Sequence, residues 1–334
     1  MLPVVVVHGG AGVISQEHKE EAKMGVCTAV RAGYAILRGG GSSMDAVVEA
    51  VTLMEDYPLF NAGRGSVLNI AGDVEMDAIV MDGKTLESGA VSCVRNIANP
   101  VQLARLVMDK TSHLCLAGDG ASRFARSMCV PEVPQESLIT EFARMRWQKN
   151  LLPGADPVES QLGKTGTVGA VAVDNEGNVA CATSTGGMIN KMEGRVGDVS
   201  CIGCGGYADN NIGAVSPTGQ GETIMKVCLS RLILFHMEQG NTHTHTHTHT
   251  HTHSMKLLSS LFSGQSVEAA SDSGLAYMKS RVKGFGGVVT VDPRGGWAAR
   301  FTTNQMSWAA ALDDTLHYGL QAGEHFTQSI SDPN

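Results

Sequence analysis

The chain has 334 residues, of which 43% are hydrophobic and 17% charged, and its formal net charge is −8. This balance is typical of a soluble globular protein with a sizeable core. The negative charge excludes the basic surface that binds nucleic acid or an anionic membrane, and no apolar run approaches the ~20 residues that span a bilayer. We therefore expect a protein that binds neither nucleic acid nor membrane.

The cellular compartment is predicted from the N-terminus and the cysteines. Residues 1–7 predict a first strand, because they lack the basic and long apolar regions of a secretory signal. Eight cysteines lie mostly in apolar segments, and no Asn-x-Ser/Thr acceptor occurs. We therefore expect reduced thiols and a cytoplasmic location.

The first half of the chain predicts alternating helices and strands. The first strand runs into a glycine-rich turn, His8-Gly9-Gly10-Ala11-Gly12, and helical periodicity follows over residues 17–38 and 43–54. A compact loop rich in small residues then covers 56–66. Beyond it, alternating and apolar runs predict strands at 67–69, 74–81 and 89–94, and helices at 100–108 and 120–128.

Residues 131–164 are polar and poorly periodic, which predicts an exposed linker. The linker ends at Gly166-Thr167, which opens into a buried strand, 168–173, and a hairpin with 179–183. Glycine-rich motifs lead to a predicted helix at 223–239, and a last hairpin joins 284–291 to 297–302. Cys201-x-x-Cys204 lacks a second pair at zinc-finger spacing, so no metal site is expected there.

Residues 241–265 contain six strict Thr-His pairs, from Thr242 to His253. Such a tract could bind transition metals adventitiously. A period of two residues is also what a translated dinucleotide repeat yields, and the helical patterns on either side would join well without it. We interpret the tract as a low-complexity insertion.

The Gly166-Thr167 pair offers the chemistry of an N-terminal nucleophile. If the bond before Thr167 were cut, the threonine hydroxyl would be a nucleophile and its freed α-amine the base, since such amines titrate near ~7.7–8. Glycine before the cut tolerates the strained attack of a hydroxyl on its own preceding carbonyl. A Gly-Thr pair alone is also a common turn.

Six motifs in order make the pattern specific. Together they resemble the plant-type L-asparaginase and isoaspartyl peptidase family of N-terminal nucleophile hydrolases, with the cytosolic mammalian members as the best match. The motifs are His8-Gly9-Gly10-Ala11-Gly12, Phe60-Asn61-Ala62-Gly63, Gly166-Thr167-Val168-Gly169, Ser184-Thr185-Gly186-Gly187, Gly194-Arg195-Val196-Gly197-Asp198 and Thr218-Gly219-Gln220-Gly221-Glu222.

The resemblance implies an α+β fold, specifically an αββα four-layer sandwich, as one domain over 1–334. It implies self-cleavage into chains 1–166 and 167–334, which stay together and pair as a dimer of heterodimers. The implied reactions convert L-asparagine to L-aspartate and ammonia and remove β-aspartyl residues from dipeptides. It also implies no required cofactor, with a structural sodium ion on backbone carbonyls between Leu53 and Gly63.

The resemblance also assigns roles to residues. Thr167 would be the nucleophile and Thr185 its hydrogen-bonding partner, and Thr218 with the Gly219 amide would form the oxyanion hole. Arg195 would bind a substrate α-carboxylate and Asp198 an α-ammonium group, as a zwitterionic head requires. Further substrate-binding and supporting positions are Val196, Gly197, Gln220, Gly221, Gly9, Gly10 and Asn61.

Two other functions remain open on the sequence alone. A glycosylasparaginase would share the fold, but it needs a secretion signal, disulfides and glycosylation. An unprocessed, non-catalytic relative is the second alternative, because an insertion of ~25 residues between two helices could impair assembly.

Overall fold

A computed structural model describes residues 3–152, 166–239 and 264–331, which form a mixed α and β fold. Within these ranges the strands are β1 (Val4–Gly12), β2 (Met76–Asp82), β3 (Ser88–Val94), β4 (Cys115–Ala117), β5 (Val168–Val173), β6 (Val179–Thr185), β7 (Tyr207–Asp209), β8 (Gly213–Gly219), β9 (Gly286–Val291), β10 (Trp297–Phe301), β11 (Gln305–Leu312), β12 (Thr315–Gln321) and β13 (Phe326–Ser329). The α-helices in the same ranges are α1 (Lys19–Arg38), α2 (Ser43–Asp56), α3 (Pro100–Lys110), α4 (Gly118–Ser127), α5 (Gln135–Leu138), α6 (Glu141–Asn150), α7 (Gly221–Val227), α8 (Leu229–Glu238) and α9 (Val267–Val282).

The described strands form two sheets. The larger has nine strands in the order β13-β12-β11-β1-β5-β6-β2-β3-β4, and the smaller has four in the order β10-β9-β8-β7. Strand β5, which begins directly after Thr167, occupies the middle of the larger sheet and pairs antiparallel with β1 and β6. A central strand paired on both sides has no free edge, so the start of β5 is held firmly.

Alternation along β1 explains how the sheets are covered. Val5 and Val7 join a core with the side chains of α1, α2 and α3, whereas Val4 and Val6 face a second core shared with β8 and β9. Because successive side chains of a strand point to opposite faces, an apolar strand of this kind is buried on both. A third core lies between the smaller sheet and helices α7, α8 and α9.

Most predicted elements are confirmed, with shifted ends. The hairpin of β5 and β6 and the hairpin of β9 and β10 are present. The predicted strand at 67–69 is wrong, because only an isolated bridge joins Leu68 to Val74. The predicted helix at 223–239 is two helices, since Cys228 adopts a left-handed conformation (φ 48°) that breaks the i to i+4 ladder.

The predicted linker is wrong in part, and several strands were not predicted. The predicted linker at 131–164 contains the helices α5 and α6, of which α6 starts at a Thr140 cap whose hydroxyl accepts from the Ala143 N–H. Residues 153–165 lie outside the described ranges. Strands β4, β7, β8, β11, β12 and β13 were not predicted at all. In the described part of the chain, no helix is long and apolar enough to cross a membrane.

Most of the interpreted insertion, residues 241–263, also lies outside the described ranges. Its flanks are close in space, because the Gln265 N–H donates to the carbonyl of His236 at 3.2 Å. The Gln265 side chain in turn accepts from the Ser273 hydroxyl at 2.9 Å, so the α9 side of the junction begins at this residue.

Replacing residues 240–263 with four Gly/Ser residues should leave the fold intact. Closing a shorter loop costs less conformational entropy, so we expect the unfolding temperature to stay within ~2 °C of the full chain or to rise. Thermal unfolding followed by circular dichroism measures this. A replacement by 24 Gly/Ser residues is the length-matched control. Loss of cooperative unfolding in both variants would mean that the tract supports the fold, whereas loss in the short variant alone would mean that only the length of the connection matters.

Candidate active site

Thr167 and Thr185 meet where β5 begins and β6 ends. The two strands are antiparallel neighbours, so the start of β5 and the end of β6 lie side by side at the same end of the strands. The Thr167 hydroxyl donates to the Thr185 hydroxyl oxygen at 3.1 Å, and the Gly187 N–H donates to the same oxygen at 2.9 Å. Thr167 is 8% exposed, and its hydroxyl is held in one direction by these bonds.

The Gly9–Gly10 turn of β1 lies directly against the Gly166–Thr167 bond. Gly10 has φ +111°, and a Cβ added there would lie 2.5 Å from Gly166 Cα. A Cβ at Gly9 would collide with the Phe60 ring and the Ser307 hydroxyl. Glycine is therefore required at both positions for this backbone approach.

Thr218 and Gly219 reach the same bond from the smaller sheet. The Thr218 Oγ1 accepts from the Ala11 N–H at 3.2 Å, and a Cβ placed on Gly166 would lie 2.9 Å from this oxygen. Gly219, with φ +137°, packs against the backbone of Phe285 and Gly286. The Thr218 hydroxyl thus lies beside Gly166, and the Gly219 N–H is the next donor along the same strand.

Asn61 connects the loop after α2 to the end of β6. Its side-chain Nδ2 donates to the Gly187 carbonyl at 2.8 Å, and its backbone carbonyl accepts from the Gly186 N–H at 2.9 Å. Its Oδ1 accepts from the Val67 N–H at 2.9 Å. Asn61 therefore fixes the turn that positions Thr185.

Arg195 and Asp198 lie together beside the Gly186–Gly187 turn. A Cβ on Gly187 would lie 3.1 Å from Arg195 Nη1, and one on Gly221 would lie 2.7 Å from Asp198 Oδ1. Burial raises the pKa of Asp198 to about 7, while the Arg195 charge opposes that shift. Asp198 Oδ2 makes no hydrogen bond within the described chain, so one carboxylate oxygen can accept a cationic ligand.

Glu222 is a site residue that the sequence analysis did not assign. Its Oε1 accepts from Arg195 Nε at 3.0 Å and from Nη2 at 2.7 Å. The Arg195 side chain is only 15% exposed and the Glu222 side chain 52%. One edge of the guanidinium is thereby fixed, and the edge carrying Nη1 is left for a ligand. The motif Thr218–Glu222 contained this residue, but the spacing gave it no partner.

Asp77 is a second residue that the sequence analysis did not assign, and it accepts a hydrogen bond from the loop that carries Arg195 and Asp198. It is fully buried on β2, and its two carboxylate oxygens accept from the Cys93 N–H at 2.9 Å and the Gly197 N–H at 3.4 Å. Burial raises its pKa, and the charge of buried Lys191 opposes this. Only the folded chain brings Asp77 to this loop, because more than a hundred residues separate them.

The loop between Leu53 and Gly63 has the donor atoms that suit a hard cation. A Cβ on Gly63 would meet the carbonyl oxygens of Glu55 and Ala98, and one on Gly65 would meet those of Pro58 and Phe60. Oxygen ligands of this kind suit sodium or calcium rather than zinc. In the ranges that the structure describes, no group of three or more His, Cys, Asp or Glu side chains could hold a metal ion.

Every sequence-predicted site residue lies in the described ranges. Gly10, Thr185 and Thr218 contact Gly166 or Thr167, whereas Arg195 and Asp198 lie beside Gly187 and Gly221. Val196 is more exposed than its neighbours, at 39%, and Gln220 turns its side-chain oxygen to the Phe285 N–H at 3.1 Å. The group combines a buried hydroxyl, a hydroxyl and an amide near one carbonyl, and a cation beside a carboxylate. Such a set can perform acyl transfer from an amide that carries a zwitterionic head.

Comparisons with known proteins agree with this chemistry. The family model described as asparaginase matches residues 1–262 and 246–320. A Danio rerio protein named isoaspartyl peptidase/L-asparaginase is 68% identical over 332 residues, which cover 99% of each chain. Proteins of the same name from Xenopus laevis and Homo sapiens are 58% identical, with 97% of each chain covered, and 54% identical, with 96% covered.

Proposed function

The chain belongs to the asparaginase family, and from this premise we propose that it is an isoaspartyl peptidase and L-asparaginase that activates itself by cleavage before Thr167. It hydrolyses L-asparagine to L-aspartate and ammonia, and it removes β-aspartyl residues from dipeptides. The observation that carries the proposal is the Gly166–Thr167 bond, which lies among Gly10, Thr185 and Thr218. No other threonine in the described chain combines a hydroxyl donated to a second threonine with a preceding glycine packed against a glycine turn.

The architecture that we propose is the αββα sandwich of the N-terminal nucleophile hydrolases. The three cores support it, since one lies outside the larger sheet, one between the sheets and one outside the smaller sheet. In this arrangement Thr167 and Thr185 come from one sheet and Thr218 from the other. The facing sheets therefore supply the nucleophile and the oxyanion donors separately.

Self-cleavage begins with attack of Thr167 Oγ1 on the Gly166 carbonyl carbon. The acyl group moves from the Thr167 nitrogen to the oxygen, the freed amine takes up the proton, and water then hydrolyses the ester. The products are chains 1–166 and 167–334. The new α-amine has a pKa near ~7.7–8, so at neutral pH a useful fraction is unprotonated and can accept the hydroxyl proton in turnover.

In turnover the Thr167 oxygen attacks the side-chain carbonyl of an aspartyl unit. The Thr218 hydroxyl and the Gly219 N–H stabilise the oxyanion, and losing one such donor typically costs ~10²–10³ in rate. Ammonia or a peptide amine leaves with a proton, and water hydrolyses the aspartyl ester. Arg195 binds the α-carboxylate through its free edge, and Asp198 binds the α-ammonium through its unpartnered oxygen.

Three further features belong to the same proposal. The two chains remain associated and pair as a dimer of heterodimers in the cytoplasm. The loop between Leu53 and Gly63 binds a sodium ion through its backbone carbonyls, whose oxygens are the ligands that a hard cation prefers. That ion would stiffen the loop carrying Asn61 and takes no part in the chemistry.

Purified protein should separate into two fragments under denaturing conditions, and the second should begin Thr-Val-Gly-Ala-Val. Thr167→Ala removes the nucleophile, so it should remain one chain and be inactive. The matched control, Thr85→Ala, lies in an exposed turn and should be processed normally. Intact-mass analysis and N-terminal sequencing measure the cut. A fragment with another start, or an active uncut Thr167→Ala chain, would contradict the proposal.

Substrates should need both a free α-carboxylate and a free α-ammonium group. β-Asp-Leu keeps both on one carbon and should be hydrolysed, whereas α-Asp-Leu has lost its α-carboxylate to the peptide bond and should be refused by up to ~10⁴-fold. Arg195→Lys should lose most activity, because an ammonium cannot replace the planar fork. Comparable turnover of the two isomers would show that Arg195 and Asp198 do not read the head group.

The affinity for L-asparagine should fall below pH 7. The raised pKa of Asp198, about 7, means that the carboxyl is neutral at lower pH and cannot attract the α-ammonium. We expect KM to rise about twofold from pH 8 to 7, about fivefold from pH 7 to 6 and about tenfold per pH unit below 6. Succinamate lacks the α-ammonium, so its inhibition constant should not show this rise. The same pH dependence for both compounds would contradict the assignment of Asp198.

A further inference from the structure

Below the Thr167 hydroxyl, three polar side chains form a hydrogen-bonded chain that the mechanism above does not use. His8 Nε2 lies 3.0 Å from Ser216 Oγ, and Ser216 Oγ lies 2.7 Å from Thr183 Oγ1. All three side chains are fully buried. Burying polar groups costs free energy that hydrogen bonds only offset, and apolar residues would pack there without that cost. Three hydrogen-bonded polar side chains on three strands therefore indicate a role other than core packing.

Each of the three residues lies two positions from a site residue on the same strand. His8 precedes Gly10 on β1, Thr183 precedes Thr185 on β6, and Ser216 precedes Thr218 on β8. Alternate residues of a regular strand share a face, which places Thr183 and Ser216 next to their site residues. Strand β1 is irregular between His8 and Ala11, and His8 is placed in the same layer by its bond to Ser216. The polar chain therefore forms the layer next to the site, deeper between the two sheets.

Gly169 completes this layer on the nucleophile strand. It lies two residues after Thr167 and pairs laterally with His8 on β1 and with Thr183 on β6. A Cβ on Gly169 would lie 2.5 Å from His8 Nε2 and closer still to Ser216 Oγ. Ser216 thus reaches across from the smaller sheet into the space that the missing side chain leaves, and there it contacts both neighbouring strands.

The imidazole of His8 is suited to hold position rather than to move protons. Burial lowers the pKa of His8 to about 3, and the neighbouring Thr167 backbone opposes that shift only in part. The ring is therefore neutral at any pH at which the enzyme would work. Neither His8 nor Ser216 contacts the Thr167 hydroxyl, whose bond runs to Thr185.

We propose that His8, Thr183 and Ser216 are positioning residues that pin the smaller sheet to the larger one beneath Thr167, so that Thr218 reaches the reacting carbonyl. The inference rests on the proposed function, because it concerns the same self-cleavage and turnover. Without the pin, the two sheets still pack through their valines, but the Thr218 oxygen loses its defined distance from the nucleophile. A misplacement of about 1 Å at a reacting centre can cost ~10² in rate.

The variants Ser216→Ala and Thr183→Val remove one hydroxyl each with little change in volume. We expect self-cleavage and kcat to fall ~10- to 100-fold, with KM for L-asparagine within ~3-fold, because Arg195 and Asp198 are not part of the pin. The matched control is Ser271→Ala, which breaks a buried Ser271–Thr290 hydroxyl pair of 2.9 Å between α9 and β9. It should lower the unfolding temperature and leave kcat unchanged.

Two variants of His8 distinguish a positional role from an acid–base role. His8→Gln can place an amide group near the position of Nε2 and should recover most of the kcat that His8→Leu loses, with the pH profile of kcat unchanged. If His8→Gln is as slow as His8→Leu and the pH profile loses a limb, His8 moves a proton and the proposal is wrong. Equal kcat losses in Ser216→Ala and Ser271→Ala would overturn it too.

Failure of the proposed function gives a different result. In that case the unaltered protein stays uncut and inactive, and no comparison of kcat is possible. If His8→Leu does not fold, the variants Ser216→Ala and Thr183→Val still test the proposal, since each removes a single oxygen. Unchanged self-cleavage and unchanged kcat in both would overturn the proposal while leaving the function intact.

Discussion

The backbone contact between Gly10 and Gly166 is the constraint on which the rest of the site depends. Strand β1 departs from regular pairing with β11 between His8 and Ala11, and this irregularity carries Gly10 over the start of β5. No side chain fits between the two backbones. The residue before Thr167 is therefore held by backbone atoms, whose position no rotamer can change. Thr185 of the larger sheet accepts from the Thr167 hydroxyl, and the Thr218 hydroxyl of the smaller sheet lies beside Gly166.

The same strands change character along their length, and this separates the core from the site. The inward face between the sheets carries Val6 and Val171 in its apolar part, and it carries His8 and Thr183 nearer the site. Apolar burial holds the sheets together at one end, and hydrogen bonds specify their spacing at the other. Directional bonds are needed there because apolar packing alone tolerates small shifts that a reacting group does not.

The sequence allowed most of the site to be predicted and less of the fold. Thr167, Arg195 and Asp198 lie in short ordered motifs. The family resemblance therefore identified them as candidate site residues without any knowledge of which residues are in contact. Glu222 and Asp77 were missed because their roles come from pairing with Arg195 and Gly197, which only the folded chain brings near. The pin of His8, Thr183 and Ser216 was missed for the same reason, although each of its residues stands beside a recognised motif.

The missed fold elements also have physical explanations. Strand β11 has the sequence Gln-Met-Ser-Trp-Ala-Ala-Ala-Leu, and alanine favours helix over strand, so tertiary pairing with β1 and β12 overrides local preference. The helix break at Cys228 was not predicted, because the residue at the break is neither glycine nor proline. The candidate site lies on β1, β5, β6 and β8. The patterns of β1, β5 and β6 predicted strands, whereas β8 was represented only by the motif that begins at Thr218.

The uncut chain already contains the residues that would bind a substrate head group. Arg195 is fixed along one edge by Glu222, and Asp198 keeps an unpartnered oxygen beside it, while Gly166 packs against Thr218. Under the proposed function, the head-group residues and the Thr218 hydroxyl are therefore in place before any bond is broken. The proposed cleavage would have two effects: it would remove the Gly166 carbonyl from the oxyanion donors, and it would create the α-amine that turnover needs as a base. An enzyme that works as proposed would need no separate activator, because the geometry that selects its substrate amide would first act on its own backbone.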